Sequence, residues 1–229
     1  MQTKKLRKMA EGILLIDKPR DKTSFYLVHV LRKVTGVKKI GHTGTLDPLA
    51  TGVMVMLIGS KYTQKTPLFI KYDKEYETTL LLGSTSDTYD IQGKVEKKSD
   101  FVPSLNQVNE AIALFQGSLL QIPPMFSAKK QNGKKLYELA RQGISVERPP
   151  VQVHVLIRLL SYTYPELRLH ITCSSGTYVR TIAHDIGLKL STGAIVSELT
   201  RTRSGPFSLT ACQKLDLLTP LNFASYLHA

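Results

Sequence analysis

The sequence is poor in cysteine and has no long apolar run. These two shortages argue against a disulfide-stabilised protein and against a membrane-spanning one. Cys173 and Cys212 are the two cysteines among 229 residues, and they match neither a metal-binding spacing nor a disulfide framework. Because Cys173 falls on the apolar side of an alternating segment, we expect a buried, reduced thiol and a cytoplasmic protein. Residues 13–16 form an apolar run that is far too short for a signal peptide or a membrane span, so we expect no membrane partner.

Acidic residues are also scarce. The chain has 31 Lys and Arg residues against 18 Asp and Glu residues, which gives a formal net charge of +13 and a pI near 9.7. A surplus of this size attracts polyanions, since each phosphate that a cation neutralises releases condensed counterions. The charge therefore favours a nucleic acid or the ribosome as partner over a merely solubilising surface.

Apolar periodicity predicts strands that alternate with helices in no regular order. Alternation or short apolar runs predict strands over residues 12–17, 52–58, 74–82, 151–159 and 167–173. The last two, with Tyr164-Pro165-Glu166 between them, form a predicted antiparallel hairpin. Helices are predicted after Thr23 or Ser24 (ending at Gly36), after a Ser60 cap, after Pro103-Ser104 (extending to Phe115) and over residues 178–190. We therefore expect an α+β fold with a mixed, largely antiparallel central sheet flanked by helices.

Residues 125–150 read as a basic arm inserted into that fold. Cations outnumber acids in this segment, and the aromatic residues Phe126 and Tyr137 lie among them; the cations are Lys129, Lys130, Lys134, Lys135, Arg141 and Arg148. Positive charge follows a phosphate backbone and aromatic rings stack on bases. The residues alone allow either an RNA-binding arm or a solvated surface hairpin.

The loop over residues 41–52 is the most unusual segment. It contains three glycines and Pro48 between a predicted helix and an apolar strand, and rigidly held loops often carry catalytic groups. Asp47 precedes Pro48, which restricts it to extended backbone conformations and aims it outward. The alternative is an Asx turn, in which Asp47 caps its own backbone.

Two other carboxylates, Asp87 and Asp90, form the second acidic candidate. Clustered acids could hold Mg²⁺ for phosphoryl chemistry, as in a metal-dependent nuclease. That alternative lacks a second close acid pair and a histidine–carboxylate group. A metal-free site needs one ionised carboxylate with a cationic partner, for which Arg180 is a candidate, although it also fits an ordinary exposed helix arginine.

Eight blocks of residues, in order from about residue 11 to 218, resemble the TruB family of tRNA pseudouridine synthases. They comprise Gly12 through Lys18-Pro19, Gly41-His42-Thr43-Gly44 through Asp47-Pro48 to Gly52, Asp73-Lys74-Glu75-Tyr76, Ser86-Asp87-Thr88 with Asp90 and Gly93, Gln121-Ile122-Pro123-Pro124 to Ala128, Gly133-Lys134-Lys135-Leu136-Tyr137 with Ala140-Arg141-Gly143, Ser175-Gly176-Thr177-Tyr178-Val179-Arg180-Thr181, and Leu199-Thr200-Arg201 to Gly205.

The resemblance implies a cofactor-independent isomerase that converts uridine 55 in the TΨC loop of tRNA to pseudouridine. It implies no metal, and tRNA as the partner. We further expect a monomer with no obligate protein partner, built as a single catalytic domain over residues 1–229. The family usually carries a C-terminal RNA-binding PUA domain, and we expect this chain to lack one.

The resemblance also assigns roles to individual residues. It makes Asp47 the essential aspartate, Tyr76 the tyrosine that stacks on the target uracil, and Arg180 the partner of the catalytic aspartate. Asp90 would position that arginine, and His42 would fill the place of the extruded base. Leu199 and Tyr178 are expected to contact the substrate, as are Lys130, Lys134 and Arg141 of the arm, while Lys18 and Pro19 form a structural motif beneath the site. The alternatives are a catalytically silent tRNA-binding or folding module and, less favoured, the metal-dependent nuclease.

Overall fold

The computed structural model describes residues 11–131 and 133–229, so the first ten residues of the expected catalytic domain lie outside the described part. The strands, in chain order, are β1 (Gly12–Lys18), β2 (Ile40–His42), β3 (Thr51–Ile58), β4 (Lys74–Leu82), β5 (Ser84–Ser86), β6 (Val95–Lys97), β7 (Gly117–Gln121), β8 (Lys130–Gln131), β9 (Lys134–Lys135), β10 (Val151–Thr163), β11 (Glu166–Cys173), β12 (Ala194–Ser204), β13 (Phe207–Ser208) and β14 (Gln213–Lys214).

The helices are fewer and mostly short. They are α1 (Ser24–Thr35), α2 (Ser60–Thr63), α3 (Thr66–Phe69), α4 (Leu105–Ala113), α5 (Leu136–Ala140) and α6 (Val179–Lys189), with 3₁₀ turns at Leu209–Ala211, Leu215–Leu217 and Phe223–Tyr226. None of the helices in the described ranges is long and apolar enough to cross a membrane.

Helix α1 forms where its end signals predict. The Thr23 side chain accepts a hydrogen bond from the Tyr26 N–H at 3.1 Å and so caps the first turn. Gly36 ends the helix in the left-handed region, with φ of 73°, where a residue without a Cβ is favoured. Leu27 and Leu31 lie on the buried face, as the periodicity predicts.

The chain divides into two compact units. The first comprises the described part of Met1–Tyr76 together with Thr200–Ala229. Its strands are ordered β14-β1-β3-β12, with β2 on β3 and β13 on β12. β1 and β3 are antiparallel, from Gly12 opposite Ile58 to Lys18 opposite Gly52, whereas β12 runs parallel to β3. A core of aliphatic residues and Tyr62 forms between these elements and consists of Ile13, Leu15, Val53, Val55, Leu57 and Tyr62.

The second unit comprises Glu77–Leu199. Its strands follow the order β12-β4-β11-β10-β7, and β5–β6 and β8–β9 form two further small ribbons. β10 and β11 form the predicted antiparallel hairpin, with Val155 opposite Cys173 and a cis Tyr164–Pro165 bond at the turn. Inward residues alternate along β11, and Cys173 is buried at its end. The α+β class and the mixed, largely antiparallel sheet are confirmed.

Two helix predictions need correction. Ser60 does not cap α2: Gly59 precedes the helix, Ser60 is its first residue, and the helix is a single turn. Helix α4 ends at Ala113, two residues before the predicted Phe115. Its start is as predicted, because Ser104 and Gln107 form a reciprocal capping box.

Candidate active site

The loop that carries Asp47 lies in the first unit and leaves β2 through His42. β2 pairs antiparallel with β3, and the Thr43 N–H continues the pairing by donating to the Val55 carbonyl at 3.2 Å. Asp47 itself is half-buried, and its main-chain carbonyl accepts the Ala50 N–H at 3.1 Å, which closes a turn after it. The loop therefore starts from the edge of a sheet and returns directly into β3.

Ser24 fixes the residue that precedes Asp47. Its buried hydroxyl accepts the Leu46 N–H at 3.0 Å and donates to the Leu46 carbonyl at 3.1 Å. Both polar groups of Leu46 are thereby satisfied away from water, which holds this peptide in one position. Ser24 is the first residue of α1, so the helix and the loop are joined at this point.

Lys18 fixes the residue that follows Asp47. Its fully buried ammonium donates to the carbonyls of Pro48 at 3.1 Å, Lys22 at 2.6 Å and Pro19 at 2.9 Å. Burial lowers the pKa of Lys18 from 10.5 to about 8, against the opposing effect of the nearby Asp47 carboxylate. A cation with three carbonyl partners thus lies beneath Pro48.

Arg201 supports the beginning of the loop. Its buried guanidinium donates to the Val53 carbonyl at 2.7 Å through Nε and to the Gly44 carbonyl at 3.3 Å through Nη2. Gly52, with φ of 98°, lies so close to the Arg201 main chain that a Cβ there would collide with the Arg201 carbonyl. The loop therefore has supports at both ends and on both sides of Asp47.

Two further candidates lie in the first unit. His42 is half-buried, and its pKa is lowered by burial and by the Arg201 charge, which favours the neutral ring. Its Nδ1 atom is buried and meets no hydrogen-bond partner among the described residues. Tyr76 is buried on β4, on the face that also carries Thr78 and Leu80.

Arg180 and Asp90 come together in the second unit. The Arg180 Nε lies 3.6 Å from an Asp90 carboxylate oxygen, and both side chains are more than nine-tenths buried. The two Nη atoms donate to the carbonyls of Thr88 at 2.7 Å and Phe126 at 2.8 Å. The other Asp90 oxygen accepts from the Thr88 hydroxyl at 2.7 Å, so the carboxylate is itself held in place. An ordinary exposed arginine, one of the readings the sequence allows for Arg180, is ruled out.

Tyr178 and Leu199 also belong to the second unit. Tyr178 precedes α6, and its main-chain N–H and C=O are both bonded by the Gln121 side-chain amide, at 2.7 and 3.1 Å. This clamp fixes the start of the helix that carries Arg180. Leu199 is buried on β12.

The arm contains the short ribbon β8–β9 followed by α5. Lys130 and Lys134 are exposed on the ribbon. The Arg141 guanidinium lies 5.3 Å from the centroid of the Tyr137 ring, a cation–π distance. The Lys135 ammonium also lies 5.3 Å from the centroid of the Tyr137 ring, so this ring contacts two cations.

Three residues of these arrangements have no role assigned from the sequence: Ser24, Arg201 and Gln121. The sequence marks Ser24 as a possible helix cap, and Arg201 and Gln121 belong to motif blocks without an assigned role. Their buried polar ends bond main-chain atoms far away in the sequence, and no local pattern signals this. Within the described ranges, no group of three or more His, Cys, Asp or Glu side chains could hold a metal ion.

Comparison with known proteins identifies the family. The model of the TruB family pseudouridylate synthase N-terminal domain matches residues 32–179, and that of the tRNA pseudouridylate synthase B C-terminal domain matches residues 180–226. The tRNA pseudouridine synthase B of Protochlamydia amoebophila is 60% identical over 202 residues, which cover 88% of this chain and 77% of the relative. That of Chlamydia pneumoniae is 52% identical over 215 residues, or 94% of this chain and 92% of the relative.

Solved structures agree in fold. A chain of the crystal structure of a Cbf5–Nop10–Gar1 complex is 27% identical and superposes with a TM-score of 0.71 over 93% of this chain. A chain in the structure of an H/ACA RNP bound to a substrate RNA containing 2′-deoxyuridine is 25% identical, with a TM-score of 0.67. This chain spans about half the length of those solved chains, 54% and 53%. Together with the two family models and the relatives of similar length, the fold shows that the chain belongs to the TruB family of pseudouridylate synthases.

Proposed function

We propose that this chain isomerises uridine 55 in the TΨC loop of tRNA to pseudouridine, with Asp47 as the catalytic carboxylate. The curated relatives are named tRNA pseudouridine synthase B, and they resemble this chain over most of its length. The observation that carries the assignment of Asp47 is the double support of its neighbours, Leu46 by Ser24 and Pro48 by Lys18. Catalytic groups require this kind of fixed placement.

The reaction explains why one carboxylate is central. The N1–C1′ glycosidic bond breaks, the uracil turns, and C5 bonds to C1′, so no atom or electron is gained or lost overall. An ionised Asp47 either attacks the electron-deficient C1′ to form a covalent intermediate or removes the 2′ proton to give a glycal. Once C5 has bonded to C1′, a base removes the proton from C5 and N1 takes up a proton, so the product has the same atoms as the substrate. The isomerisation needs no redox cofactor or group donor.

Further roles are proposed for Tyr76, Arg180 and His42. Tyr76 stacks on the target uracil and takes part in the transfer of the proton from C5. Arg180, held by Asp90 and by two carbonyls, is the proposed cationic partner of the Asp47 carboxylate. Flipping the base costs a few kcal/mol, and a neutral His42 ring offsets part of this cost by filling the vacancy. Among the described residues, the His42 Nδ1 atom has no hydrogen-bond partner that this movement would have to break.

The remaining candidates are proposed to bind the RNA. Tyr178 and Leu199 contact the substrate uridine, while Lys130, Lys134 and Arg141 contact phosphates of the TΨC stem-loop. Support comes from the exposure of Lys130 and Lys134 and from the net charge of +13. We also propose that the protein acts in the cytoplasm as a monomer without an obligate protein partner, with both units forming one catalytic domain and residues 125–150 serving as its arm.

The test is to map pseudouridine in an unmodified tRNA transcript by carbodiimide-dependent reverse-transcription stops, without added metal. The wild type should give a stop one nucleotide 3′ to position 55. Asp47→Ala should abolish that stop and leave RNA affinity within about threefold, because the change removes the reacting group and not the basic surface.

Asp216→Ala is the matched control, since it removes an exposed carboxylate from the same unit and changes the net charge equally. It should modify RNA at the wild-type rate. A wild-type protein that binds tRNA and makes no stop would contradict the proposal in favour of a silent binding module. RNA cleavage that a chelator suppresses would instead favour the nuclease.

A further inference from the structure

The first turn of α1 exposes two adjacent aromatic side chains. Phe25 is 66% exposed and Tyr26 is 39% exposed, whereas Ser24 and Leu27 on either side of them are buried. Neither ring is among the buried residues of this helix, which are Ser24, Leu27, Val28, Leu31 and Thr35. Large rings left in water next to each other are a feature that folding alone does not require.

A cation accompanies these rings. The Lys22 ammonium lies 5.2 Å from the centroid of the Tyr26 ring, within the range of a cation–π contact. Lys22 is exposed, and Arg20, also exposed, lies two residues before it; the acid between them is Asp21. The segment therefore presents two aromatic side chains and exposed positive charge on one short stretch of chain, a combination that suits a nucleotide.

This surface is joined to the loop of Asp47 by direct hydrogen bonds. One ammonium, that of Lys18, binds the carbonyls of both Lys22 and Pro48. The Asp21 N–H also donates to the Pro48 carbonyl, at 2.8 Å. The main chain beside the exposed rings is thus fixed within two hydrogen bonds of the residue that follows Asp47.

We propose that Lys22, Phe25 and Tyr26 form a nucleotide-binding surface for the substrate RNA. One of the two rings stacks on a base close to the flipped uridine, and Lys22 contacts a neighbouring phosphate. The inference rests on the proposed function, because it takes the RNA that Asp47 acts on as the occupant. Stacking of this kind tolerates any base, so the surface adds affinity without adding sequence preference.

Charge and geometry favour RNA as the occupant. A chain with a net charge of +13 attracts a polyanion, and an aromatic ring offers its face to a base. The proximity to Pro48 matters equally, since RNA that delivers a nucleotide to Asp47 must pass next to the loop that carries it. A base adjacent to the target is therefore within reach of α1.

The test compares the affinity of the full-length protein for an unmodified TΨC stem-loop RNA, measured by fluorescence anisotropy. Phe25→Ala combined with Tyr26→Ala should weaken binding by about tenfold or more, since one lost base–ring stack is worth at least a large part of that factor. Phe25→Trp with Tyr26→Trp should keep wild-type affinity. Lys22→Ala should lower the slope of log Kd against log salt by about 0.7 to 0.9, the value for one lost phosphate contact.

Leu68→Ala is the control, because Leu68 is an apolar side chain of the same unit with nearly the same exposure, 65%. It should leave affinity unchanged, and thermal unfolding should show that all variants are folded. Affinity of the double alanine variant within twofold of wild type would overturn the inference.

The experiments distinguish a failure of this binding surface from a failure of the proposed function. If the surface acts as stated, the double alanine variant still modifies RNA at saturating concentration, with a raised KM and little change in kcat. Asp47→Ala shows the opposite pattern, with intact binding and no product. Unchanged binding together with wild-type isomerisation would reject the surface and leave the function standing.

Discussion

Replacing Ser24 with alanine deletes one buried oxygen atom and both of its hydrogen bonds to Leu46. The change leaves the Leu46 N–H and C=O without these partners, at a cost of about 1–3 kcal/mol for each buried group. We expect a loss of at least about 2 kcal/mol, which corresponds to a fall in melting temperature of about 4–8 °C for a chain of this size.

Activity should fall more than stability alone explains. Leu46 precedes Asp47, and a displacement of about 1 Å at a reacting group can lower a rate by about 100-fold. The assay is single-turnover pseudouridine formation at saturating RNA, at a temperature where circular dichroism shows the variant to be folded. Under these conditions the measured rate reports the position of Asp47 and not the fraction of unfolded protein.

Thr23→Ala provides the matched comparison. Thr23 is the adjacent residue, and in the part of the chain that the structure describes its side chain bonds the Tyr26 N–H, within the first turn of α1. Its removal should cost about 1 kcal/mol and leave the rate unchanged. Equal rates in the two variants, once both are folded, would refute the idea that the Ser24 hydroxyl positions the catalytic loop.

Two further predictions concern buried charges. Burial lowers the pKa of Lys18 from 10.5 to about 8, so as the pH rises the Lys18 side chain loses its proton in the folded protein before it does in the unfolded chain. The contribution of Lys18 to the free energy of unfolding is therefore least favourable below pH 8 and rises from about pH 8 to 10.5. The melting temperature of the wild type minus that of Lys18→Met should increase over this range, and a difference that is flat or falls with pH would contradict it. Asp90→Asn removes the charge that faces Arg180 in a buried pair and should lower stability by about 3–5 kcal/mol in thermal or urea unfolding. Glu96→Gln, which neutralises the acid of the exposed pair with Lys94, should change stability little, and equal effects of the two substitutions would count against a buried ion pair.

Local sequence signals account for the elements whose ends or faces they mark. Thr23 and Gly36 bound α1, and alternation identifies β4 and the β10–β11 hairpin. Ser60 misleads because a serine at a helix start fits the first helical position as well as the cap, and here Gly59, with φ of 88°, takes the cap position. The pairing of β12 with β3 joins Thr200 to Thr51, and no nearby pattern encodes such a distant parallel contact.

In the candidate site, too, local signals identify some residues, whereas contacts between distant residues cannot be predicted from the sequence. The unusual loop and the family motifs lead to Asp47, Tyr76 and Arg180, and their catalytic roles stay predictions. The family motif points to Lys18 as a support of the loop, but two other supports are not visible in the sequence, because Ser24 reaches Leu46 and Arg201 reaches Val53 only after the chain has folded. A buried arginine and an exposed one look alike when read along the chain.

The hydrogen bond from Arg180 to the Phe126 carbonyl has a mechanical consequence for the basic arm. Phe126 lies at the root of the arm. The same guanidinium also donates a hydrogen bond to the Thr88 carbonyl and lies next to the Asp90 carboxylate. A displacement of Phe126 would cost the buried guanidinium this hydrogen bond, so the main chain at the root of the arm is tied to the pair of Arg180 and Asp90.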